Sequence, residues 1–159
     1  MVETITRLDE FKDSARSQDE TLVSKAPAFT KEAGIIDWES TSSAKLYSLH
    51  RAIGHAIPLV TGFRHLRVQL RSVEPIPESI LQILDSEFKD AVAGTIVYLD
   101  KNDLFCVKCL NSWIRVRVLR IEKRKDQQCR TFYKDYAVSS GIDQFFSLEN
   151  NFQTSLINK

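Results

Sequence analysis

At 159 residues, 43% hydrophobic and 27% charged, the chain has the composition of one globular domain with flanking segments and is far from that of a disordered protein. No apolar run approaches the roughly 18 residues needed to cross a bilayer, so no membrane partner is expected. The formal net charge of +1 excludes a uniformly basic protein, but it averages an acid-rich start (Glu3, Asp9, Glu10, Asp13, Asp19, Glu20) with a base-rich stretch from Lys101 to Lys134, where a polyanion could sit.

In chain order, Val2, Ile5, Leu8 and Phe11 recur three apart and predict a helical face over residues 1–16, followed by a polar linker over 17–40 in which Pro27 disfavours helix at Ala26. The N-terminus has neither an apolar signal core nor the acid-poor, Arg-rich character of a transit peptide. Thr41, Ser42 and Ser43 are suited to cap a helix whose apolar residues Leu46, Leu49, Ile53, Ala56 and Ile57 run on to Pro58. From Phe63 to Val73, Leu66, Val68 and Leu70 alternate with Arg67, Gln69 and Arg71, which predicts a half-buried strand with a basic outer face. Pro75 and Pro77 mark a turn before a short helix over Ser79–Phe88.

Three β-rich runs follow, Gly94–Leu99, Leu104–Leu110 and Trp113–Leu119, separated by polar pieces as in consecutive antiparallel hairpins. In the last of them Ile114, Val116 and Val118 face inward and Arg115 and Arg117 outward. Arg120 would then fall inward, so a bulge or the end of the strand is expected near Leu119. After a loop from Lys123 to Cys129, Thr131 is suited to cap a short helix through Tyr136 that buries Phe132 and Tyr136; residues 139–159 form a polar tail. The fold class expected is mainly β with helices, a small antiparallel β-barrel of the oligonucleotide/oligosaccharide-binding (OB) type over 41–138, preceded by a linker and an amphipathic helix.

Few patterns carry chemistry. Cys106-Val107-Lys108-Cys109 has a CxxC spacing, but in a strand positions three apart point to opposite faces, so these sulfurs cannot share a metal. With three cysteines in all, free thiols are expected, and no metal site. His50 and His55 are about 140° apart around a helix and do not make an i, i+4 ligand pair. No phosphate-cradling glycine loop and no GxSxG nucleophile motif occurs, so no catalytic residue is assigned. The basic residues Arg67, Arg71, Lys108, Arg115, Arg117, Lys123, Arg124 and Lys125 have two readings, a solvated sheet face whose Arg stems cover apolar surface, or a face that contacts phosphates.

The series from Gln18-Asp19-Glu20 through Ile36-Asp37-Trp38 and the helix beyond Ser43, then Gly94-Thr95-Ile96-Val97, Asn111-Ser112-Trp113-Ile114 and Phe132-Tyr133, resembles the inter-domain junction and C-terminal domain of methionyl-tRNA formyltransferases. Arg51-Ala52-Ile53-Gly54 to Ile57-Pro58-Leu59 is more similar to animal mitochondrial members than to bacterial ones, which carry Pro-Trp-Pro here. The resemblance implies an OB-like barrel that helps hold initiator methionyl-tRNA, a mitochondrial full-length parent, and a monomer. The family's catalytic Asn, His and Asp and its 10-formyltetrahydrofolate site lie in an N-terminal α/β domain. Residues 1–16 correspond at most to the last helix of that domain, so a truncated, catalytically silent product is expected, with no cofactor of its own and a catalytic domain supplied in trans. Ile36, Asp37 and Trp38 are read as a latch pinning the linker to the barrel, with Asp37 capping the next turn, in preference to direct RNA contact.

Overall fold

The computed structural model describes residues 28–148. The expected N-terminal helix, the first part of the linker (17–27) and the end of the tail (149–159) lie outside the described residues. Six strands form one antiparallel sheet, β1 (Leu59–Phe63), β2 (Leu66–Glu74), β3 (Ile96–Leu99), β4 (Leu104–Lys108), β5 (Trp113–Ile121) and β6 (Asp126–Gln128). The spatial order is β1-β2-β5-β4-β3, with β6 also pairing β5. Among the described residues three α-helices accompany it, α1 (Ser43–Ile53), α2 (Glu78–Glu87) and α3 (Cys129–Asp135).

The ladder does not close on itself, so the expected barrel is present only as an open sheet with β1 and β3 at its edges. The segment 143–146 lies across both edges. Phe146 and Gly62 exchange backbone hydrogen bonds of 3.0 and 2.9 Å, Phe145 N–H donates to the Gly94 carbonyl at 2.9 Å, and Ile96 N–H donates to the Asp143 carbonyl at 2.9 Å. Two glycines permit this approach. A Cβ on Gly62 would lie 2.2 Å from the Phe146 ring, and one on Gly94, whose φ is +90°, would lie 2.1 Å from the Phe145 carbonyl oxygen.

Several boundaries differ from those the sequence predicts. Ser42 is the N-cap of α1, its hydroxyl accepting from Lys45 N–H at 3.2 Å. The helix stops at Ile53, short of Pro58, where the Ala56 amide donates to the Ile53 carbonyl three residues back (2.9 Å) and the chain tightens into a turn. The single strand expected from Phe63 is a hairpin, since Arg64 takes a left-handed φ of 51° and folds β2 back on β1. The loop after Lys123 contains β6. α3 starts at Cys129 behind Gln128, so Thr131 lies inside the helix and does not cap it.

Apolar packing is two-sided. The larger core joins Trp38, Leu46, Phe63, Leu70, Phe105, Val116, Phe132 and Phe145, with Phe63 edge-on to both Phe132 (5.1 Å) and Phe145 (5.9 Å). On the opposite face α2 covers Val97, Leu104, Cys106 and Trp113. Cys106 therefore packs in the smaller cluster and Cys109 in the larger, as the two-residue period of a strand requires.

Candidate nucleic-acid interface

Two offset bulges aim the arginines. Leu70 pairs with Leu119 and Ser72 with Val118, which leaves Arg71 as an extra residue on β2; Val73 then pairs with Val116, which leaves Arg117 extra on β5. Each bulge shifts the alternation by one. On β2 the buried set runs Val68, Leu70 and then Val73, and on β5 Ile121, Leu119 and then Val116 and Ile114. Val118 is consequently half-buried, and Arg120 turns outward between buried Leu119 and Ile121 instead of inward.

On the outer face of β2 and β5 each of two carboxylates lies between two guanidiniums. Asp126 meets Arg120 (2.5 Å) and Arg71 (3.8 Å), and Glu74 meets Arg117 (3.2 Å) and Arg115 (3.5 Å). Four cations against two anions leave this face at +2. The pairs are partly solvated, and exposed ion pairs are weak, about 0–1 kcal/mol each.

The remaining sequence-assigned cations divide. Lys108 is drawn to α2. Its Nζ lies 3.3 Å from Asp85 and 5.0 Å from the centre of the Trp113 ring, while the Trp113 indole N–H donates to the same Asp85 carboxylate at 2.9 Å. This group fastens α2 to β4 and β5. Arg67 and the turn Lys123-Arg124-Lys125 come together at the far end of the sheet, where Glu122 N–H donates to the Arg67 carbonyl at 3.0 Å. Among the described residues none of these four cations lies in an ion pair, and all four are exposed.

Ile36 and Trp38 are each 1% exposed, against β1 and the tail. Ile36 N–H donates to the Val60 carbonyl at 3.0 Å. The Trp38 indole N–H donates to Thr61 Oγ1 at 2.8 Å, and that hydroxyl donates on to the Phe146 carbonyl at 2.9 Å. The indole stacks on Phe145, 6.1 Å between centroids and 15° between planes. Asp37 turns outward and accepts from Ser40 Oγ (2.5 Å), Glu39 N–H (3.2 Å) and Ser147 Oγ (3.3 Å). The Ser40 hydroxyl, ahead of the Glu39 amide and Ser147, holds its carboxyl below the ordinary carboxylate value. Sequence reasoning did not find Thr61, Phe145 or Ser147 as the counterparts of this triplet; a Thr in an otherwise apolar strand beside Gly62 was the available signal.

Cys106, Cys109 and Cys129 are buried free thiols, and burial pushes Cys106 and Cys109 up to about 12. His50 is held below its ordinary value by burial and then by the Arg71 charge, and its Nδ1 is buried without a hydrogen-bond partner.

The described residues thus form an antiparallel sheet with a cationic outer face and an aromatic pinned inward ahead of α1. Comparison with known families matches residues 28–137 to the formyl transferase C-terminal domain, and the chain belongs to that family. Its relatives include the mitochondrial methionyl-tRNA formyltransferases of Bos taurus and Homo sapiens, 26% and 25% identical over 136 residues, 86% of this chain and 34% of each relative. The methionyl-tRNA formyltransferase of Ruminiclostridium cellulolyticum is 26% identical over 124 residues, 78% of this chain and 37% of that protein. The chain spans about a third of the length of these curated relatives.

Proposed function

We propose that this domain is the tRNA-holding portion of a methionyl-tRNA formyltransferase, mitochondrial in its parent form, which presents initiator methionyl-tRNA to a catalytic domain that transfers the formyl group of 10-formyltetrahydrofolate. The observation that carries this reading is the convergence of Arg67, Lys123, Arg124 and Lys125 beside the arginine-rich β2–β5 face. Phosphates repeat along RNA, and a line of exposed cations binds them through counterion release whatever the base sequence. Arg71, Arg115 and Arg117 support the line but are already partly neutralised, and Lys108 is engaged with α2, so the turn carries more of the binding than the sequence alone suggests. The likeness to an OB barrel rests on segment 143–146, whose hydrogen bonds reach both edge strands.

The test is fluorescence anisotropy of initiator methionyl-tRNA with the purified 159-residue chain as a monomer over a salt series. Affinity falls as salt rises, and replacing Lys123, Arg124 and Lys125 together by Ala lowers the slope of log K against log salt by about 2–3. A slope unchanged by that substitution refutes the reading. The chain alone is expected to transfer no formyl group, and turnover in a direct assay would contradict that part.

A further inference from the structure

On the edge of β5 that faces β4 and β6, β4 pairs as far as Val116 and β6 starts at Val118, so Arg117 has no strand partner on that side. A cleft of about 290 Å³ lies there, lined by Arg115, Arg117, Arg130, Gln128, Thr131 and Asp103. One oxygen of the Asp103 carboxylate accepts from the Tyr98 hydroxyl, so the cleft sets three guanidiniums against one anion. Most guanidinium donors are unused. A guanidinium has five N–H groups, and Glu74 takes only one from each of Arg115 and Arg117, at 3.5 and 3.2 Å. The Nε of Arg115 is buried with no acceptor at all, and a buried donor left unmet is costly.

Three forked donors against one carboxylate leave the cleft net cationic and match a tetrahedral oxyanion, which offers several acceptor oxygens and binds arginine in bidentate fashion. We propose that this cleft seats one phosphate group, monoester or diester, on Arg115, Arg117 and Arg130, and that Glu74 holds the first two guanidiniums until the phosphate displaces it. The inference rests on the RNA-holding reading for the source of the phosphate. It adds Arg130, Gln128 and Thr131 to the site and gives Glu74 the role of an internal competitor.

The experiment is an amide NMR titration of the full 159-residue chain with inorganic phosphate at constant ionic strength, with chloride as control. Saturable shifts at Arg117, Arg130 and Thr131 are expected. Arg130 is exposed, so Arg130→Ala leaves the fold intact, and loss of one charged bidentate partner weakens phosphate about tenfold or more. Glu74→Gln tightens it. Equal shifts in chloride, or an Arg130→Ala affinity equal to that of the parent, overturn the proposal. Competition with the same RNA oligonucleotide bearing a 5′ phosphate or a 5′ hydroxyl assigns the source: preference for the first supports a terminal monoester, and equal competition supports backbone diesters. Loss of the cleft signal with tRNA binding intact sinks the cleft alone, whereas phosphate binding without tRNA binding sustains the cleft and sinks the RNA reading.

Discussion

The relay from the Trp38 indole through Thr61 to the Phe146 carbonyl joins three stretches of chain that no strand ladder connects, and a double-mutant cycle measures what it contributes. In Thr61→Val the buried indole N–H loses its only acceptor, while the Phe146 carbonyl still accepts from Gly62 N–H at 2.9 Å. The expected loss is therefore that of one stranded donor, about 1–3 kcal/mol. Trp38→Phe shrinks a fully buried ring and weakens its stack on Phe145, costing about 1–3 kcal/mol. With both changes made, no N–H is stranded, so the double variant should be more stable than the sum of the singles predicts by about 1 kcal/mol or more. Urea unfolding followed through tryptophan fluorescence and far-ultraviolet dichroism reads all four proteins. Single effects that add to within about 0.5 kcal/mol would mean that the relay is not a coupled unit.

Two further expectations concern titration and reactivity. Burial holds the Cys106 and Cys109 thiols at about 12, so neither forms thiolate near neutral pH, and Ellman's reagent should react only as fast as the domain opens; rapid labelling of the native protein would contradict their burial. The folded His50 sits below its ordinary 6.5, so the unfolded chain takes up the proton first and stability falls as pH drops below about 6.5. His50→Gln should flatten denaturation midpoints measured from about pH 7 to about pH 5, and an unchanged curve would assign that limb to other groups.

The alternation of Leu66, Val68 and Leu70 with Arg67, Gln69 and Arg71 was legible because β2 is buried on one face only. β1 was not, since all five of its residues are buried and a run without alternation shows no period to read. An irregularity in β5 was visible through Arg120, which a regular strand would have driven into the core, but a bulge and a strand end near Leu119 fitted equally, and the extra residue is Arg117; its counterpart at Arg71 had no local signature because Ser72 fits either face. Segment 143–146 has the sequence of a polar tail because its order comes from Gly62 and Gly94, some 80 and 50 residues back along the chain, and no local pattern encodes such a contact. The candidate site was half legible. The outward cations followed from strand period, but Glu74 and Asp126 join them only through pairings across β2, β5 and β6.

Those two carboxylates determine how the face behaves before and during binding. Four outward guanidiniums side by side would repel one another and, with long stems, would sample many rotamers. One carboxylate between each two relieves the repulsion and holds the forks near the sheet. Such solvated pairs are weak enough for a phosphate to replace, yet while they last they subtract from the counterion release that drives RNA association. Asp126→Asn removes one of these internal anions and frees Arg71 and Arg120. It should tighten tRNA at low salt, steepen the salt dependence by up to about one unit of slope, and cost little stability because Asp126 is exposed. Weaker tRNA binding by Asp126→Asn, in a protein that still melts like the parent, would show that RNA uses the ordered pairs as they stand and that the net charge of the face is not what it reads.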